Sequence, residues 1–375
     1  MRITLPILLF MLASGLNAQI SNPGMVNVYD SLEEGKVLVG AYVDAYYAYD
    51  FSQPLNSDRL YAVSSARHHE FTVNLAYADF KYINDRVRAH FVPGFGSYMN
   101  ANYTAETGAF RYIVEANAGV KLFKNKAVWV DAGILPSPYT NESAISKDHL
   151  MYTRSIAPEF VPYYLSGVKL TLPLGKKLTS YTYIINGWQQ IQDQNKSLAF
   201  GTQLEFRPGK RWLFNWDTYS GNERSALNPD FGMRYFTDLY MIYNPDGKFS
   251  MSSCVYAGRQ TFINKNSIRP LGEWDEKQWW QANVIGRYTF SRKTALSGRI
   301  EYFEDASSVM ITPVTGIAGF SSFSGGLCLN IKVGQNAMFR LEGRSFYSEK
   351  KVYLDDTKNP SKSSHLLVSN LSVWF

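Results

Sequence analysis

Val37-Leu38-Val39-Gly40-Ala41-Tyr42-Val43-Asp44-Ala45-Tyr46-Tyr47 reads with a period of two. Val37, Val39, Ala41, Val43 and Tyr47 fall on one parity, and Gly40, Tyr42, Asp44 and Tyr46 on the other. A strand sends successive side chains to opposite faces, so this stretch lies between an apolar and a polar surrounding. The alternation returns along the chain. Val87, Ala89 and Phe91 alternate with Arg86, Arg88 and His90; Tyr112, Val114, Ala116, Val120 and Leu122 alternate with Arg111, Glu115, Asn117 and Lys121. Trp280, Ala282, Val284, Tyr288 and Phe290 alternate with Gln281, Asn283, Arg287 and Thr289. Near the end Phe339, Leu341 and Gly343 alternate with Arg340, Glu342 and Arg344. Each stretch runs about ten residues, the length a tilted strand needs to cross a bilayer core. Strands of soluble sandwiches are usually about five or six residues long.

The connections have two kinds. Asn84-Asp85, Lys124-Asn125-Lys126, Leu174-Gly175-Lys176, Pro208-Gly209-Lys210, Asn244-Pro245-Asp246-Gly247, Ser291-Arg292-Lys293 and Gly334-Gln335-Asn336 are short and built of turn residues. Between them lie long polar connections over 51–70, 99–109, 136–163, 187–196, 220–232, 261–278, 304–321 and 347–364. Strict alternation of short and long predicts an all-β, antiparallel, up-and-down transmembrane barrel of about sixteen strands (roughly 14–18), with short periplasmic turns and long outer loops. A Greek-key sandwich has no reason to show it. Closure also solves a physical problem, since an open strand edge in lipid leaves unpaired N–H and C=O groups that cost several kcal/mol each. The chain ends Leu367-Val368-Ser369-Asn370-Leu371-Ser372-Val373-Trp374-Phe375, with Leu367, Leu371, Val373 and Phe375 on one parity. That resembles the terminal strand that outer-membrane barrels present to their insertion machinery.

Residues 1–18 read as a secretory signal peptide: Arg2, an apolar stretch from Ile3 to Leu12, and a small residue at Ala18. Residues 19–36 then form an N-terminal periplasmic segment and 37–375 the barrel. With 26 Tyr, 23 Phe and 8 Trp but a mean hydropathy of −0.23, the mature chain holds many aromatics and no run long enough for a membrane helix. Aromatics near strand ends, Tyr47, Tyr49, Trp212, Trp216, Trp280 and Tyr288, suit interfacial girdles. The net charge of +6 is not gathered in one segment, and nothing in it points to nucleic acid. Cys254 and Cys328 fall on the eleventh and fourteenth predicted strands. That is about 14 Å apart at a strand spacing of about 4.8 Å, too far for a disulfide.

Three segments carry a family resemblance. Asp131-Ala132-Gly133-Ile134-Leu135-Pro136-Ser137-Pro138-Tyr139-Thr140-Asn141-Glu142-Ser143, Pro162-Tyr163-Tyr164-Leu165-Ser166-Gly167-Val168 and Asn186-Gly187-Trp188 together resemble the OmpL-like β-barrel porins of Gram-negative outer membranes. The resemblance implies a barrel for passive permeation and brings no catalytic residues with it.

The polar parity supplies the candidate pore lining: Arg88, Arg111, Arg287, Arg299, Glu301, Arg340, Glu342 and Arg344, with His90, Glu115, Lys121, Lys169, Glu205 and Arg207 beside them. Charged rings on a pore wall set ion preference. Arg287, Arg299, Arg340 and Arg344 opposite Glu142 and Glu159 predict a transverse field and a mild preference for anions. The competing expectation is that opposite charges on neighbouring strands pair and brace the wall. The connection 136–163 is the third outer loop and carries Glu142, Asp148, Arg154 and Glu159, along with Lys147 and His149. It is expected either to narrow the lumen as a constriction or to lie on the surface in water.

The function expected is therefore an outer-membrane porin for small hydrophilic solutes or ions, in contact with outer-membrane lipids and needing no cofactor or metal. A plugged or loop-driven barrel acting as a receptor or adhesin is the alternative, and an outer-membrane lipid hydrolase a further one. Hydrolysis needs a hydroxyl nucleophile, a base and an orienting group. Among His68, His69, His90, His149 and His365 no such setting is apparent, and there is no Gly-x-Ser-x-Gly elbow. His68 and His69 are adjacent, so on a strand their rings would point to opposite faces rather than share a metal.

Overall fold

The computed structural model describes residues 35–244, 247–264 and 273–375. The expected signal peptide, nearly all of segment 19–36, Pro245-Asp246 and the centre of the sixth long connection lie outside the described residues.

Sixteen strands close one antiparallel barrel. In its first half β1 (Val37–Asp50) leads to β2 (Phe71–Ile83), β3 (Val87–Phe95), β4 (Ile113–Phe123) and β5 (Lys126–Pro136). β6 (Tyr164–Pro173), β7 (Leu178–Ile185), β8 (Ala199–Gly209) and β9 (Trp212–Asn222) continue it. The second half holds β10 (Phe231–Tyr243), β11 (Phe249–Asn264), β12 (Glu273–Thr289), β13 (Thr294–Asp305), β14 (Phe320–Lys332) and β15 (Ala337–Tyr347). A small hairpin of β16 (Tyr353–Leu354) and β17 (Pro360–Ser361) sits in the last outer loop, and β18 (Ser363–Trp374) returns to β1. The order of strands alternates long and short connections as expected, except that β11 runs to Asn264 and β12 starts at Glu273, inside the expected sixth long connection. β1 and β18 zip in register from Tyr42 opposite Trp374 to Asp50 opposite Leu366. The seam ends on Ala41 and Phe375, whose backbones exchange hydrogen bonds of 3.0 and 3.1 Å.

The pleat decides which side chain meets lipid. On β13, Leu296 and Ile300 are exposed outward while Ser297, Arg299 and Glu301 are buried inward. On β15, Phe339 and Leu341 face out while Arg340, Glu342 and Arg344 are buried. The outer face is the apolar one, the reverse of a soluble sandwich, and it suits an environment of acyl chains. Trp212, Trp216, Trp280 and Tyr288 are exposed on that face, as an interfacial girdle requires. Cys254 on β11 and Cys328 on β14 are both buried, free thiols.

Two glycines of the resemblance segments have a mechanical role. Gly133 on β5 and Gly167 on β6 face each other across the ladder with φ of 127° and 155°, where the third loop leaves the wall. A Cβ at either position would overlap a neighbouring backbone carbonyl oxygen, Ala116 beside Gly133 and Ile184 beside Gly167. Only glycine permits this close approach and this φ.

Candidate functional site

The third loop, from Ser137 to Tyr163, does not lie on the surface. It folds into the barrel, and its residues from Leu150 to Pro158 are all buried. The expectation of a loop lying on the surface in water does not hold for this stretch. Short 3₁₀ turns at Ser146–Asp148 and Ala157–Phe160 bend the loop so that the extended stretch between them runs along β13 and β15.

That wall grips the loop mainly by its backbone. Glu342 accepts the N–H groups of Tyr152 and Thr153, both at 2.9 Å, together with the Thr153 hydroxyl. Glu301 accepts the Ile156 N–H at 2.6 Å. Arg299 donates to the Thr153 carbonyl at 2.7 Å, Arg344 to that of Arg154 at 2.7 Å, and Arg340 to that of Ser146 at 2.8 Å. The same side chains pair with one another: Arg299 lies 3.2 Å from Glu342 and 3.5 Å from Glu301, and Arg344 pairs with Glu301. Two carboxylates for N–H groups and three guanidinium groups for carbonyls make the wall imitate a neighbouring strand. Charge-assisted bonds of this kind are the strong ones.

Contacts further round complete the seat. Asp238 on β10 accepts the Thr140 N–H at 2.5 Å, and Asn141 donates to Ser252 at 2.8 Å and Asn283 at 3.0 Å. On β1, Asp44 accepts the Ser146 hydroxyl at 3.2 Å and the side-chain amide of Asn74 at 3.0 Å. Within the loop, burial and then the charges of Arg154, Arg340 and Arg299 push the His149 imidazole well below its usual range. It is neutral, and its Nε2 accepts the Ser143 N–H at 2.8 Å. Burial pushes the Asp148 carboxyl up to about 6 against the opposing Lys147 and Arg340.

The opposite arc of wall carries a ladder of alternating charge. His90 stands between Asp79 at 2.8 Å and Glu115 at 2.7 Å, and Lys81 meets Asp79 at 2.6 Å. Arg88 holds Asp131 at 2.5 Å over the ring of Trp129, with Lys169 at 3.7 Å from the same carboxylate.

Two expected roles need correction. Arg111 is not on a strand: β4 begins at Ile113, and Arg111 belongs to a 3₁₀ turn of the second outer loop, donating to the Tyr103 and Thr104 carbonyls. The pleat that would turn its side chain inward starts only two residues later. Glu159 does not oppose the arginines but accepts the Val63 and Ser64 N–H groups of the first outer loop, at 2.7 and 3.0 Å. Glu142 does reach the wall, 3.6 Å from Arg299, while also accepting the Ser155 N–H. Arg154 turns back into its own loop, to the carbonyls of Ser143 and Ala144. The arginine cluster is thus spent on docking the loop, with Arg287 the one member that takes no part.

A closed sixteen-stranded barrel with an apolar exterior, a polar interior and an inward-folded third loop defines an outer-membrane porin. The chain belongs to the beta-barrel porin-2, OmpL-like family, whose profile matches residues 36–375. Solved structures share the fold at low identity. DcaP, an outer membrane channel of Acinetobacter baumannii, is 11% identical with a TM-score of 0.60, over 91% of this chain and 98% of that one. OmpT, an outer membrane protein of Vibrio cholerae, is 10% identical at 0.57, over 92% and 98%. An anion-selective porin from Comamonas acidovorans is 8% identical at 0.57, over 91% and 100%. No curated protein sequence matches the chain.

Proposed function

We propose that small hydrophilic solutes pass through water left between the third loop and the arc of wall from β2 to β8. One observation carries this. Inward side chains on β10 to β15 are mostly buried under the loop, whereas Asp79, Lys81, Asn117, Lys169, Thr179 and Tyr181 are only half-buried. The polar wall there replaces part of a solute's hydration, and the docked loop limits its size. Single-channel recording of the purified protein in a planar bilayer tests the reading. Discrete steps of current support it; a silent membrane with folded protein present would favour a receptor or adhesin.

This reading assigns no catalytic step to the chain. Ser143 Oγ lies 3.2 Å from His149 Nε2, but that nitrogen already accepts a backbone N–H, and buried Nδ1 has no hydrogen-bond partner to orient it. A triad needs that third group, and the pair sits inside the lumen, away from lipid.

Residues 1–18 are taken to be removed on export, the short turns to face the periplasm, and the strand ending at Phe375 to be what the insertion machinery engages. Orientation is open to labelling on intact cells. Cysteines at Asn56 or Leu227, both exposed in long loops, should react with an impermeant maleimide. Cysteines at Asn125 or Gly209 in short turns should not, and the buried native thiols add no background. Reversed labelling would invert the topology.

A further inference from the structure

We infer that the short-turn mouth of the barrel collects small anions, and that anionic solutes are the class this channel favours; this rests on the channel reading above. Among the inward positions towards the short-turn ends, β2, β4, β6, β8, β12 and β14 carry Lys81, Lys121, Lys169, Arg207, Arg287 and Lys332, all partly exposed, with Ile83, Thr171 and Thr289 nearer the turns. The wall carboxylates near this ring are already engaged, Glu115 among them at 2.7 Å from His90. Asp79 serves Lys81 and His90, Asp131 serves Arg88 and Lys169, and Glu205 lies 2.7 Å from Arg207. Among the described residues no ion pair involves Lys121, Arg287 or Lys332. Arg287 pairs in register with Ser250 and Ser297, and its Nε is buried without a hydrogen-bond partner.

The turns extend the same sign outward. Four of the seven carry two cations each, Lys176-Lys177 and Lys210-Arg211 among them, and Asp85 is the one carboxylate in the described turn residues. A low-dielectric wall ringed by one sign of charge focuses the field and raises the local concentration of counter-ions. The collar lies below the docked loop, so it acts on any solute that reaches or leaves the narrow section. The anion preference therefore comes from these cations, not from Arg299, Arg340 and Arg344, whose charge is neutralised and covered.

The test is the reversal potential of the mature protein in planar bilayers under a KCl gradient. Near 0.1 M salt, where the Debye length is about 10 Å, chloride should permeate roughly threefold or more over potassium. The ratio should fall toward unity near 1 M, where screening shortens to about 3 Å. Lys121→Glu, Arg287→Glu and Lys332→Glu together should carry the reversal potential to the cation side. The triple glutamine variant, which adds no charge that could disturb folding, should bring it near zero. A Lys351→Glu change in the last outer loop should leave it where it was. A parent channel without anion preference, or a preference untouched by both triple variants, overturns this inference and leaves the channel reading standing. Absence of current in the parent removes both.

Discussion

Replacing Glu342 with alanine should free the third loop and raise single-channel conductance roughly threefold or more, because a sixteen-stranded barrel without an inward loop encloses an aqueous channel. Glu342 is fully buried and holds two backbone N–H groups, a hydroxyl and the Arg299 guanidinium at once. Removing one partner of a buried ion pair typically costs about 3–5 kcal/mol, since the other charge stays behind. Here the orphans are Arg299 and the Tyr152 and Thr153 N–H groups, and all of them regain water if the loop lifts away. The barrel ladder is untouched, so the protein should still fold and insert, with noisier current as the loop moves. Glutamine at 342 keeps the shape and one acceptor and should fall between. Unchanged conductance in the alanine variant would mean that the seat at Asp238, Asn283 and Asp44 is enough, and that Glu342 only braces the wall.

Gly167→Val should prevent the barrel from forming at all. Its Cβ would overlap the Ile184 carbonyl oxygen, and the backbone holds a φ of 155° that side chains rarely adopt. Strain of this kind costs about 1–3 kcal/mol, and overpacking adds a similar amount. Gly133 opposite leaves no slack, since its own position is closed by the Ala116 carbonyl. The assay is heat-modifiable mobility in SDS gels, in which folded barrels migrate differently from unfolded chains. Gly343→Ala is the matched control, because nothing lies within 4 Å of a Cβ added there. A folded Gly167→Val barrel would show that β5 and β6 can separate at this point without loss.

The fold was legible because period two and turn chemistry are local. Val37 to Tyr47, the seven short turns and the terminal strand each declare themselves within a dozen residues, and closure follows from the need to pair every edge. The site was legible only in part. Parity identified Arg299, Glu301, Arg340, Glu342 and Arg344 as inward-facing, yet what they bind is the main chain of Ser146 to Ile156, and main-chain atoms leave no mark on composition. Nothing local marks out Asp44 and Asp238, since each accepts a group from a loop about a hundred residues away in sequence. Arg111 shows the limit of counting parity, which has no meaning once the pleat gives way to a 3₁₀ turn. Lys121 and Lys332 could be seen as inward from the alternation, but that no carboxylate among the described residues pairs with them is a property of the closed wall.

The seam between Ala41 and Phe375 imposes an order in time. The loop that fills the lumen is made in the first half of the chain, but its seat is assembled from Asp44 on the first strand and from Arg340 and Glu342 on the strand before the last. On an unclosed sheet Asp44 lies at one edge and Arg340 and Glu342 near the other, and this part of the seat is split. Only when β18 docks on both β1 and β15 do its halves come within reach of Ser146 and Tyr152. Completion of the last strand therefore also completes the seat of the loop, joining its anchor on β1 to those on β13 and β15.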